Sequence, residues 1–218
     1  MPRHSRFAVY LGGLLGCLSA GVFLASLSSL VSRACYSPET PLGQVCRGQV
    51  PDGIPEPVLA NMGALAYRTI AEVMERNHDR PQSLDDTQKA YLRPYFGDLV
   101  DRVRIVYDAQ LMDNWVGANL RIDLGYSNAQ VYGYRIYVNE SYRPDNLEQI
   151  TLLAHELIHV RQSEELGGLG EFGYQYFLEY KRADRVYENN IFEKEAFAFE
   201  KRFTHWLQHN REHREMRR

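Results

Sequence analysis

Residues 152–162 read LLAHELIHVRQ, and within them His155 and His159 stand four positions apart with Glu156 directly after the first. Four residues of α-helix advance the chain by about 6 Å and return it to nearly the same face. Both imidazoles can then reach one ion about 2.0–2.1 Å away, as tetrahedral zinc requires. Glu156, one step round the helix, flanks such an ion instead of joining the clamp. A base placed there can take a proton from water at the metal's open position. A bare H-E-x-x-H is short enough to arise by chance on an ordinary helix, so its surroundings decide what it means.

Those surroundings predict a helix. Asp145-Asn146-Leu147-Glu148 has the form of a capping box, with Asp145 at the N-cap and Glu148 reaching back. From Leu147 the pattern runs to Gly167-Gly168, which offers a C-cap. Leu147, Ile150, Leu153, Leu157 and Val160 form an apolar stripe that Leu152 and Ile158 widen, so the helix is largely buried. Two histidines and a glutamate buried there need partners, because each unsatisfied polar group costs roughly a few kcal/mol. A metal ion would satisfy all three.

A catalytic zinc takes three protein ligands and leaves one position open. The stretch NNIFEKEAFAFE offers Glu193, followed three residues later by the small Ala196, where two helices could approach closely enough to share an ion. Asn190 and Glu193 also have the spacing of a capping box, which is the competing use of that glutamate. Glu195 is the second choice as ligand; it lies about 200° round the helix from Glu193, so only one of them can face His155. A rival stripe, His205, His209 and His213, also has helical spacing. It lacks a glutamate and borders a charged end, which favours a solvated face.

The chain has 218 residues, a formal net charge of −3, 44% hydrophobic and 24% charged residues. These values suit one sizeable globular core, and the absence of a basic excess argues against nucleic acid as a partner. Residues 7–32 carry no charge and follow Arg3, His4 and Arg6. That run is long enough to cross a bilayer, and it also has the form of an export signal with Ser32-Arg33-Ala34 as a cleavage site. Leu14 to Cys17 adds the form of a lipoprotein processing box. In each case the basic residues keep the start inside and send the rest out, so the protein is expected to be exported and either membrane-anchored, periplasmic or secreted. Cys35 and Cys46 bracket CYSPETPLGQVC directly after this run and are expected to form a disulfide in an oxidising compartment.

The organisation that follows is a signal or anchor at 1–32, a Pro- and Gly-rich linker at 33–56, and one domain at 57–218. Helical periodicity covers 57–77, and a second helix covers 84–97, with Pro94 as a possible break. Alternation of Val103, Ile105 and Tyr107 marks a half-buried strand, and NLRIDLGY and YGYRIYVN repeat the pattern across turn signals from Gly125 to Gly133. After the motif helix, an aromatic-rich helix is expected to end near Asn189-Asn190, and a last helix to start at Ile191. The fold class expected is α+β, a small antiparallel sheet packed on a mostly helical domain, with an N-terminal apolar helix.

Taken together, RIYVNESY, LLAHELIHVRQ and NNIFEKEAFAFE resemble the gluzincin clan of zinc metallopeptidases. More closely, they resemble the metallopeptidase domain named for extracellular contractile injection system cores. Members commonly read H-E-L-x-H-V-x-Q, and many related sequences carry N-P-x-E-x-E-A downstream. The resemblance spans roughly residues 100 to 203 and implies a zincin-like fold. It implies zinc held by His155, His159 and Glu193, with Glu156 as general base for hydrolysis of a peptide or protein substrate outside the cytoplasm. An Asp that commonly follows the Ala and orients a ligand histidine is replaced here by Phe197. Tyr174, Tyr176, Tyr180 and Tyr187 are candidates to stabilise the oxyanion, and the strand YRIYVN could pair with an extended substrate. The alternative is a non-catalytic, zinc-stabilised envelope or assembly domain. The topology has its own test. A reporter fused after residue 50 is expected to be active only in the exported compartment, with Cys35 and Cys46 oxidised in protein from its native host. Cytoplasmic reporter activity would remove the export argument.

Overall fold

The computed structural model describes residues 37, 39–46, 53–111, 128–184 and 186–215, with side chains to residue 210. The N-terminal apolar run, Cys35 and the strand expected at NLRIDLGY lie outside these residues. Among the described residues, no helix is long and apolar enough to cross a membrane. In chain order they form α1 (Pro41–Cys46), α2 (Glu56–Asn77), α3 (Asp86–Phe96), α4 (Leu99–Arg102) and β1 (Arg104–Val106). Then come β2 (Ala129–Tyr132), β3 (Arg135–Val138), α5 (Leu147–Glu165), α6 (Leu169–Arg182), a 3-10 turn at Tyr187–Asn189 and α7 (Ile191–Glu215). The protein is α+β, mostly helical with one small sheet.

The sheet is mixed, where an antiparallel one is expected from the sequence. Its order is β1-β3-β2, with β2 antiparallel to β3 and β1 parallel to it. Residues Gly133 and Tyr134 close the β2–β3 hairpin, with Gly133 at φ 63°, a left-handed value that glycine adopts without steric cost. The hairpin enters with β3 on the inside, so β3 runs alongside β1 in the same direction. Burial differs from expectation too. Ile105, Ile136 and Val138 join one core with Leu153, Leu157 and Phe203, whereas Val106 and Tyr137 join a second core with Leu59, Met74 and Phe177. Alternate residues of each strand therefore enter different cores, and the sheet is buried on both faces.

Because β3 is paired on both sides, it has no edge for an extended substrate, and that role expected for YRIYVN is excluded. Strand β1 is itself joined on its outer side by Gln82, which exchanges backbone hydrogen bonds with Ile105.

Several helix ends differ instructively. Helix α3 starts at the capping box of Asp85 and Gln88 and runs through Pro94 to Phe96. Only its last turn follows the proline, so few backbone bonds are at stake. Helix α5 is capped by Asn146, whose side chain accepts from the Gln149 N–H, and not by Asp145, which sits at φ 55° in the preceding turn. The Gln149 side chain accepts from Arg143 N–H and donates to the Ser141 carbonyl, closing that turn onto the helix. At the other end Gly167 N–H donates to Glu164 and Gly168 N–H to Ser163, a Schellman pair at φ 95° and 116°. Helix α6 ends at Arg182, short of Asn189, because Asp184 turns left-handed at φ 54° and the chain enters the 3-10 turn.

Helices α2 and α6 cross at glycines. A Cβ built on Gly63 would lie 2.6 Å from the Gly173 carbonyl oxygen, and one on Gly173 would lie 2.8 Å from that of Gly63. Neither backbone can yield locally. Gly63→Ala is therefore expected to destabilise the protein by about 1–3 kcal/mol, the usual cost of overpacking. Helix propensity alone predicts the opposite, a gain of up to about 1 kcal/mol. A denaturation midpoint that rises in this variant would refute the close crossing.

Candidate metal centre

Helix α5 is buried along most of its length, and that burial carries His155, Glu156 and His159 inside with it. Their exposures are 5%, 6% and 7%, and Glu193 from α7 is 2% exposed. Ala196, fully buried one turn beyond Glu193, leaves room for α7 to lie against α5.

Asn190 sets the position of Glu193. Its side-chain oxygen accepts from Phe192 N–H while its amide donates to the Tyr176 carbonyl on α6. Asn190 thus caps α7 and joins it to α6 without Glu193, and the competition between cap and ligand is resolved. The Glu193 carboxylate instead accepts from the Tyr176 hydroxyl at 2.8 Å through Oε1. Its Oε2 is buried with no hydrogen-bond partner. Glu195 points elsewhere, accepting from Gln162 at 2.9 Å and Arg161 at 3.3 Å. It is not a ligand. His205 and His209 are exposed, which removes the rival stripe from consideration as far as the side chains are described.

The three candidate donor atoms form a triangle. His155 Nε2 and His159 Nε2 are 3.3 Å apart, and Glu193 Oε2 lies 3.6 Å from the first and 3.4 Å from the second. In a tetrahedral site with bonds of about 2.0–2.2 Å, neighbouring ligand atoms stand about 3.3–3.6 Å apart. The triangle is one face of such a tetrahedron. His155, His159 and Glu193 are the group among the described residues that could hold a metal ion.

The far sides of both rings specify their tautomers. Gln162 uses its amide nitrogen to donate to Phe192 O and Glu195, so its oxygen faces His159 Nδ1 at 2.9 Å and requires that nitrogen to donate. His155 Nδ1 lies 2.8 Å from Glu200 Oε2 and donates to that carboxylate. Each Nε2 is thereby left to present a lone pair to the centre. Two such lone pairs and an orphaned carboxylate oxygen meeting at these distances call for a cation, and the donor set suits a metal ion.

The electrostatics agree. Burial opposes charging His155, but its contacts with Glu193 and Glu200 outweigh this and hold it up at about 10. Burial likewise opposes charging His159, and the Glu193 charge overcomes it and raises that ring. Glu193 is held well below the usual carboxylate range despite burial, first by the His159 charge. Burial raises Glu156, which is close enough to both histidines to feel their charges. The carboxylates that raise both imidazoles favour positive charge at this centre.

Of the four tyrosines considered from the sequence, Tyr176 is occupied with Glu193, and Tyr180 belongs to the second core. Burial and the Glu193 charge raise the Tyr187 hydroxyl, and its ring packs 6.0 Å from that of Phe197. Tyr174 is half-buried on α6. Phe197 packs its ring 4.8 Å from that of His155, and the carboxylate at His155 Nδ1 is that of Glu200. Sequence reasoning did not find Glu200 or assign Gln162. Their signals were faint: Glu200 is seven residues after Glu193 on the same helix face, and Gln162 is three after His159.

Residues 83–167 match the sequence model of the eCIS core domain. No curated protein and no solved structure matches the chain. The matched stretch takes in α3, the sheet and all of α5, and it ends before Glu193 and Glu200.

Metal binding must displace the imidazole protons, so affinity is expected to rise with pH. In metal-free protein the raised histidines stabilise the fold fully below about pH 6.5, and His155 loses its share as pH rises towards about 10. Thermal denaturation in chelator should therefore show stability falling across that window. His155→Ala should flatten the profile and weaken metal uptake. A variant with both histidines replaced that still binds metal fully would overturn the site.

Proposed function

We propose that this protein is a zinc-dependent peptidase of H-E-x-x-H type that acts outside the cytoplasm in connection with an extracellular contractile injection system. The observation that carries this reading is the triangle of His155, His159 and Glu193, with the spacing of a tetrahedral face and Glu156 adjacent to it. The injection-system connection rests on the eCIS core match. Zinc in this site would supply a Lewis acid that polarises a peptide carbonyl and makes water more acidic.

The rest falls to the chain's own groups. Glu156 follows a ligand on α5 yet is not part of the three-ligand group, so its carboxylate is left to act as a base. It takes a proton from the attacking water and passes it to the leaving amine. Gln162 and Glu200 hold the imidazoles in the tautomer that presents Nε2. Tyr176 holds the Oε1 side of Glu193, leaving Oε2 as its donor atom. The deep enclosure of all four residues favours a second reading, a non-catalytic zinc-stabilised assembly domain. In that case the ion would hold α5 and α7 together and Glu156 would have no chemical duty.

Two substitutions separate the readings. Glu156→Gln is expected to keep metal and fold while peptidase activity falls 10²–10⁴-fold, the usual effect of losing a general base. Glu193→Gln is expected to lose metal, because an amide oxygen is a poorer donor than a carboxylate. Activity assays on a peptide library and metal analysis of the full-length chain read both. Intact activity in Glu156→Gln would end the mechanism. A fully metallated wild type that cleaves nothing would favour the assembly domain.

A further inference from the structure

Glu193, Phe197 and Glu200 are spaced i, i+4 and i+7 on α7, so they lie along one face of the helix. All three reach the same histidine. Glu193 Oε2 stands 3.6 Å from His155 Nε2, the Phe197 ring flanks the imidazole at 4.8 Å, and Glu200 Oε2 meets Nδ1 at 2.8 Å. We propose that Glu200 is the positioning residue of the His155 arm, fixing the ring's tautomer and orientation towards the metal through a carboxylate–histidine pair. This proposal rests on the metal site of the reading above but not on peptide hydrolysis.

Three observations support it. First, the two histidines are supported differently. His159 is held by the neutral, buried Gln162, which makes further bonds to Phe192 O and Glu195. His155 is held by a carboxylate whose side chain is 37% exposed. An exposed glutamate could have remained in solvent, yet it turns in to the ring. Second, Glu193 and Glu200 bring two carboxylates from one face of α7 to opposite nitrogens of the same ring. Third, Phe197 has no polar group to offer, so the Nδ1 proton has its acceptor one turn further along α7.

A carboxylate in this place makes the imidazole a more basic ligand, and removing such a partner typically costs 10–100-fold in metal affinity. The competing explanation is that Glu200 only pairs with His155 when the ring is protonated and no metal is bound. The two predict different outcomes. We expect Glu200→Ala in the full-length chain to bind zinc 10–100-fold more weakly in competition with a chromophoric chelator. Glu200→Gln, which keeps an acceptor oxygen without the charge, should fall between Glu200→Ala and the parent. The visible spectrum of the cobalt(II)-loaded protein should shift in Glu200→Ala, and the metal-free protein should lose less stability than the zinc-loaded one. Zinc affinity within about threefold of the parent would overturn the proposal. So would a loss of affinity accompanied by an equally large loss of metal-free stability, since that would be a structural role. A parent protein that takes up no zinc would overturn both this proposal and the functional reading. One that binds zinc with the expected dependence on Glu200 but cleaves no peptide would remove only the peptidase.

Discussion

Two imidazole nitrogens whose lone pairs face each other at 3.3 Å repel unless a positive charge lies between them. Around this centre the fold leaves the rings little freedom to escape. Each has its outer nitrogen tied, His155 to Glu200 and His159 to Gln162, so neither can exchange tautomer without breaking a bond. The helix that carries them packs Ile150, Leu153, Leu157 and Ile158 into the first core. A surface helix could tilt to separate the rings; this one is wedged between a sheet and α7. The arrangement is preorganised for a cation because relaxing it would mean repacking the core.

The centre has two halves of different origin along the chain. The stretch that matches the eCIS core domain ends at residue 167 and supplies both histidines, Glu156 and Gln162. Everything that completes the site comes later: Tyr176 from α6, Asn190 from the turn, and Glu193, Phe197 and Glu200 from α7. Asn190 is the joint between these parts. Buried completely and bonded to both α6 and α7, it sets where the first turn of α7 begins and hence which residues of that helix face α5. Its contribution is to the angular position of Glu193, not to the chemistry.

How much of this could be read from residues alone varied with how local the determining forces are. The H-E-x-x-H helix was legible because spacing, apolar stripe and terminal glycines all act within one element. Glu193 was legible as a need, since two histidines and a buried carboxylate demand a third arm. Its separation from the capping role was not, because that depended on Asn190 bonding across to Tyr176. Glu200 looked like any other glutamate of a charged helix; only the crossing of α7 over α5 distinguishes it. The mixed sheet was hidden for a related reason. Strand alternation reports which faces exist, whereas insertion of β3 beside β1 is decided by packing between distant segments. Likewise, Tyr176 stood among four equivalent candidates until its hydroxyl was found on Glu193.

The close glycine crossing has a consequence in time as well as in space. Gly63 meets Gly173, so the partner of α2 is synthesised only after the sheet and the whole of α5. Until then, the face formed by Leu59, Ala66, Ile70 and Met74 has only the earlier members of its core, such as Val45, Val106 and Tyr137, and lacks Phe172, Tyr176, Phe177 and Tyr180. Contacts between such distant parts of a chain form late and slowly, because a long loop must close before they repay its entropy. Neither core can close before the last helices are made: the second waits for α6 and the first for α7. The candidate metal centre also completes late, because Glu193 lies beyond that same α6. For a growing chain, the docking of α7 that closes the first core also brings Glu193 to the two histidines.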